Sequence, residues 1–128
     1  MTLPITLSAV AAAALINIWL SIRCGQVRTA EKVSVGDGGN EKLIRRMRAH
    51  ANFSENAPIV LVMIAALEFA HPGSTVLAGV AGLFMLGRVG HGLGMEGGSF
   101  GPGRLVGTLI TLLTQLGLAI WAIMSAMA

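Results

Sequence analysis

Arg45-Arg46-Met47-Arg48-Ala49-His50-Ala51-Asn52-Phe53-Ser54-Glu55-Asn56-Ala57-Pro58 runs straight into Ile59-Val60-Leu61-Val62-Met63-Ile64-Ala65-Ala66-Leu67-Glu68. The second half is apolar enough for a lipid bilayer. The first half carries charges and amides that a bilayer rejects. A carboxylate near a bilayer centre costs roughly 2.5–3.5 kcal/mol even on the mildest insertion scale. On a helix, Arg45, Arg48, Asn52 and Glu55 share one face. A span that carries Arg48, Asn52 and Glu55 at its mouth must set them against protein, water or a polar ligand.

Composition supports a membrane setting. The 128 residues are one domain's worth, 54% hydrophobic and 12% charged. Soluble domains carry about 25% charged residues. The net charge of +3 does not point to nucleic acid, because the basic residues form no polar domain. Seven of the nine Lys and Arg fall between Arg23 and Arg48, which reads as a cytoplasmic loop under the positive-inside rule. The one cysteine, Cys24, excludes an intrachain disulfide and a thiolate metal cluster, and no metal is expected. Tyrosine is absent.

Four spans follow, at about 3–22, 51–70, 75–95 and 104–126, within a single membrane domain over 1–128. Leu3 to Ile22 is long enough for a ~30 Å core. It lacks a basic leader and is too long for a signal-peptide core. Arg23 is expected to stop it, Trp19 to sit at the interface, and Asn17 to bond another helix. Gly36-Asp37-Gly38-Gly39-Asn40 reads as a turn, and Asp37 or Asn40 as the cap of a helix from Glu41 to about Ala70. Pro58 should kink or loosen that helix. After the turn at His71-Pro72-Gly73-Ser74, the third span is rich in small residues. Its Gly90-x-x-x-Gly94 allows close helix approach. Glu96 to Gly103 reads as a glycine-rich loop.

Loop charge sets the orientation. With the Arg23–Arg48 loop inside, the second span starts at the cytoplasmic face, the third ends there and the fourth starts there. Helical rise then places Arg48, Asn52 and Glu55 level with Arg88, His91 and Arg104. Arg28, Arg48, Arg88 and Arg104 make an excess of guanidinium, which favours an anionic ligand held by bidentate pairs. Glu55 can neutralise one arginine or receive an ammonium. A ligand with two carboxylates and one amine satisfies the set, and glutathione has that composition. A guanidinium beside its sulfur favours the thiolate, which is the nucleophile.

Plainer readings stand beside this. Arg45 and Arg46 fit headgroup anchors that snorkel. Arg48, Asn52 and Glu55 could form an internal ion pair between helices. His91 could be a packing histidine. Glu68 and His71 read as interfacial, Met63, Met85 and Met95 as core or lipid-facing, and Cys24 as a bystander.

Arg48-Ala49-His50-x-Asn52-x-x-Glu55-x-x-Pro58 resembles the second-helix signature of the MAPEG family, the membrane-associated proteins in eicosanoid and glutathione metabolism. That family includes microsomal glutathione transferases and prostaglandin E synthase. Gly25-Gln26-Val27-Arg28 and the spacing of Arg88, His91 and Arg104 are similar to the family pattern as well. The resemblance implies an all-α integral membrane four-helix bundle, assembled as a homotrimer. Glutathione, as co-substrate, would lie between neighbouring subunits near the cytoplasmic face. Arg48, Asn52, Glu55, Arg88 and His91 would bind it, Arg28 would reach it from a neighbour, and Arg104 would stabilise the thiolate. A hydrophobic second substrate would enter from the lipid. Where family members often carry tyrosines, this chain has Asn56 and Met95.

The resulting expectation is a multi-pass membrane protein, in the inner or cell membrane if bacterial, with self-association and lipid as partners and no nucleic acid. Its activity would be a glutathione-dependent transferase or peroxidase acting on lipophilic electrophiles or hydroperoxides. The alternative is a non-catalytic glutathione- or lipid-binding module of the same fold. A small drug/proton exchanger ranks last, because the first span holds no carboxylate.

Overall fold

The computed structural model describes residues 2–97 and 101–128. The chain forms α1 (Pro4–Glu31), α2 (Glu41–Ala70), α3 (Thr75–Gly94), a short 3-10 turn (Met95–Gly97) and α4 (Pro102–Met127). All four α-helices are long and apolar enough to cross a membrane, and the described residues contain no strand. Of the expected Glu96–Gly103 loop, residues 98–100 lie outside the described residues. The remainder closes into the 3-10 turn on one side and the start of α4 on the other.

Local sequence explains most helix ends. Pro4 and Pro102 fall in the first turns of α1 and α4, where a missing N–H costs nothing. Asn40 caps α2 by accepting from Leu43 N at 2.9 Å, which selects it over Asp37. Ser74 caps α3 through Leu77 N at 3.2 Å. Gly73 supplies the left-handed residue (φ 75°) in the turn before it.

One expectation needs correction. Arg23 does not stop α1, which runs on to Glu31 and ends at Lys32 in the left-handed conformation. Its extra turns extend beyond the hydrocarbon run, so helix length and span length differ. Glu68, read as interfacial, lies at the helix ends but is enclosed by the start of α1. It is 1% exposed and accepts from Ile5 N at 2.8 Å, Thr6 N at 2.7 Å and Thr6 Oγ1 at 2.6 Å. Carboxylate oxygens thus cap free N–H groups of α1, where the helix dipole favours negative charge. His71 nearby bonds Ser125 Oγ at 2.8 Å and lies against the Trp121 ring. α2 stays helical through Pro58.

Glycines set the tightest helix pair. A Cβ on Gly107 would lie 2.6 Å from both Gly87 O and His91 Cβ. One on Gly103 would lie 2.8 Å from Gly90 O, and one on Gly94 would run into the Arg104 backbone. α3 and α4 therefore meet backbone to backbone, through both glycines of the expected Gly90–Gly94 motif and two more on α4. Val60, Ile64, Leu77, Phe84 and Leu118 fill the interior between helices. Leu109, Leu112, Leu116, Ile120 and Ile123 make an outward belt along α4, as lipid contact requires.

Candidate functional site

The end of the bundle that carries the basic α1–α2 connection collects the polar groups. Arg88 is the most completely buried of them, at 1% exposure. Its Nη1 donates to Thr111 Oγ1 at 2.6 Å and its Nη2 donates to Asn52 Oδ1. One guanidinium thereby ties α3 to α4 and α2. Burying a cation is costly unless it is bonded, and here two neutral oxygens do that work. Arg88 Nε and His91 Nδ1 have no hydrogen-bond partner among the described residues.

His91 sits one turn beyond Arg88 on α3, buried against Gly107 of α4. Gly94, one turn further, lies against the backbone of Arg104, so the glycine seam fixes where Arg104 leaves α4. Arg104 itself is half-buried.

Arg48 and Glu55 behave differently. They face outward from α2, with side chains 58% and 59% exposed and Arg48 Nη1 3.9 Å from Glu55 Oε1. Asn52 lies between them in sequence and is half-buried, joining the outward pair to Arg88. Arg28 is not brought to this cluster within one chain. It bonds Gly36 O at 2.6 Å and Met47 Sδ at 3.6 Å, and lines a groove of about 460 Å³ with Ser21, Cys24, His50 and Ser54. That groove lies along a different face of α2. In it His50 Nε2 meets Asn17 Oδ1 at 2.7 Å, which gives Asn17 its interhelical partner.

The two positions without tyrosine are now visible. Met95 is buried. Asn56 donates to Asn52 O at 2.7 Å and accepts from Gln115 Nε2 at 2.7 Å. Neither presents a phenol-like hydroxyl.

Arg46 is not simply a headgroup anchor. Arg46 Nε meets Glu96 Oε1 at 2.6 Å, and Arg23 reaches the same oxygen. Arg46 Nη1 also donates to Arg23 O at 2.6 Å. Glu96 thus clamps the 3-10 turn to α1 and α2. Arg23 also lies over the Trp19 ring at 5.0 Å, and Trp19 packs against Gly92. Arg45 pairs loosely with Glu41 at 3.6 Å, one turn back.

Sequence reasoning passed over Thr111, Gln115 and Glu96. The signal for the first two was present: two polar residues one turn apart inside an apolar span rarely face lipid. Glu96 gave no such signal, because it stood in a stretch read as loop. No group of His, Cys, Asp or Glu among the described residues has the arrangement of a metal site.

The MAPEG family model matches residues 6–124, nearly the whole chain, and the chain belongs to that family, which covers glutathione-related transferases and isomerases. No curated protein matches the chain. Together with the four apolar helices, membership makes this an integral membrane protein.

Proposed function

We propose that this MAPEG-family chain binds glutathione at the junction of neighbouring copies in a homotrimer. It would activate the thiolate there for attack on a lipophilic electrophile or hydroperoxide. The observation that carries the reading is the outward pair Arg48 and Glu55. A membrane helix that leaves a cation and an anion uncovered, at the outer limit of ion-pair distance, must set them against protein, water or an ionic ligand, and a zwitterion matches both charges at once. The amino-acid end of glutathione supplies a carboxylate for Arg48 and an ammonium for Glu55. Asn52, oriented by Arg88, adds amide N–H donors beside them.

The remaining roles follow from placement. Arg88 and His91 back the site from α3, and Arg104 brings a guanidinium from α4. Arg28, on another face of the same chain, serves a neighbour's site, which is why one chain alone does not gather the full set. The orientation set by loop charge turns the site toward the cytoplasm. Arg104 beside the sulfur lowers the thiol pKa and keeps the nucleophile ionised. Attack on an aryl halide then forms the S–C bond and releases halide.

The test is glutathione conjugation to a hydrophobic aryl halide in detergent. Arg104→Ala should cut kcat about 100-fold while glutathione still binds. Arg48→Ala should weaken glutathione binding instead. Unchanged turnover in Arg104→Ala removes the mechanism. A second reading, a non-catalytic thiol-peptide or lipid-binding module, draws support from Met95 and Asn56, which leave the site without a phenolic hydroxyl. Calorimetric glutathione binding with no turnover of any electrophile would select it.

A further inference from the structure

Thr111 is enclosed within the bundle, 2% exposed, about two turns further along α4 than Arg104. Its hydroxyl has one proton, and that proton goes to Gly107 O at 2.9 Å. Only lone pairs remain to face α3, and the oxygen accepts from Arg88 Nη1 at 2.6 Å. Thr114, one turn on, keeps its hydroxyl within α4, on Ile110 O at 2.7 Å and Thr111 O at 3.0 Å. The two threonines look alike in sequence, but Thr111 is the one that holds a cation.

The Arg88 guanidinium has few anchors. Its Nε is buried without a partner among the described residues, while Nη1 and Nη2 bond Thr111 and Asn52. A guanidinium only donates, so Asn52 must turn Oδ1 toward it. The amide N–H groups of Asn52 then look away from Arg88. Asn52 shares its face of α2 with Arg48, one turn back, and Glu55, one turn on. The two ends of an asparagine amide are nearly equal in size, so shape alone does not choose which end meets that face. Arg88 makes the choice, and Thr111 holds Arg88 in place to make it.

Resting on the glutathione reading above, we propose that Thr111 is a positioning residue for the α-carboxylate at the glutamyl end of the ligand. It acts through Arg88 on the Asn52 amide, so that this amide offers the ligand donors only. The carboxylate meets Asn52 N–H beside the Arg48 cation, and the ammonium is left to Glu55. Without the Thr111 hydroxyl, Arg88 Nη1 loses its acceptor and turns to another oxygen. The Asn52 amide is then free to reverse and set its carbonyl against the carboxylate, which repels it. The ammonium contact with Glu55 does not pass through Thr111.

The experiment measures Kd by calorimetry on the full chain in detergent for three peptides. One is glutathione. One has γ-aminobutyrate in place of the glutamyl residue and so lacks the carboxylate. One has glutarate there and lacks the ammonium. Thr111→Val keeps the shape and removes the hydroxyl. It should lower the carboxylate preference, the Kd ratio of the γ-aminobutyryl peptide to glutathione, by about tenfold, the worth of one charge-assisted bond. The ammonium preference, the same ratio for the glutaryl peptide, should not move. Thr111→Ser keeps the hydroxyl and should keep both ratios, as should Thr114→Val. Asn52→Asp still accepts from Arg88 but turns a second oxygen to the ligand, so it too should lose the carboxylate preference.

Thr111→Val with an unchanged carboxylate ratio, or with both ratios lowered alike, overturns the inference, because a merely loosened bundle does not single out one group. Loss of the carboxylate ratio in Thr111→Ser or Thr114→Val also overturns it. Should Thr111→Val fail to fold, Asn52→Asp decides: lost carboxylate preference upholds the inference and retained preference ends it. Glutathione binding to the unaltered chain with no carboxylate preference ends it as well and leaves the binding reading standing. An unaltered chain that binds none of the three peptides removes both.

Discussion

Arg88 of α3 and Asn52 of α2 are joined directly, Nη2–H to Oδ1, with the guanidinium almost fully enclosed. Asn52 is therefore both a support for a buried cation and the neighbour of the exposed Arg48–Glu55 pair. A change at Asn52 acts on the bundle and on the site at once.

Asn52→Leu should destabilise the folded bundle by roughly 2 kcal/mol, because a buried charged donor loses its acceptor. Arg88→Met in that background should recover part of the loss. A double-mutant cycle by reversible unfolding in mixed micelles measures the coupling. Strict additivity would show that the two side chains act independently.

Glu68→Gln should loosen the start of α1. An amide offers a single acceptor where the carboxylate offers two, so the bonds to Ile5, Thr6 N and Thr6 Oγ1 cannot all persist. Hydrogen exchange at the Ile5 and Thr6 amides should quicken, with little change near Leu20. Unchanged protection at both amides would contradict the capping role.

Gly107→Ala should separate α3 from α4, since the new methyl would lie 2.6 Å from Gly87 O and His91 Cβ. The expected cost is about 1–3 kcal/mol for overpacking, accompanied by loss of glutathione binding as His91 and Arg104 move apart. Gly79→Ala, where nothing lies within 4 Å, is the control and should leave the melting temperature almost unchanged. Equal melting temperatures for the two variants would remove the glycine seam from the account.

Glu96→Gln leaves Arg23 and Arg46 facing each other without a shared anion. A loss of about 1–2 kcal/mol is expected for this partly exposed cluster. Arg46→Gln in the Glu96→Gln background should restore stability by removing the repulsion. If the double variant is less stable than the single, the clamp depends on something other than charge.

Much of this arrangement was legible in one dimension. The hydrophobic runs gave the four helices, and the Arg48, Asn52 and Glu55 spacing gave one polar face of α2. Helical rise put Asn52 level with Arg88, and the hydrogen bond between them bears that out, but the α4 residue at that level is Thr111, about two turns from Arg104, which lies nearer the charged end than Asn52 and Glu55. Asn40 and Ser74 announced their helices by type and position. Hydropathy missed the rest of α1 past Ile22, because a helix need not end where its apolar run ends.

The amino-acid order determined how many helices there are, which end carries the charge and which residues share a helix face, because those follow from periodicity and hydropathy along one strand of chain. Tertiary structure alone decided that Arg88 is enclosed while Arg48 and Glu55 face outward, that Glu68 belongs to α1, and that Arg46 belongs to Glu96. The reason is physical. A polar side chain in a span must find a partner, but which partner depends on how closely neighbouring backbones approach. That distance is set here by the Gly87–Gly107 and Gly94–Arg104 contacts between helices.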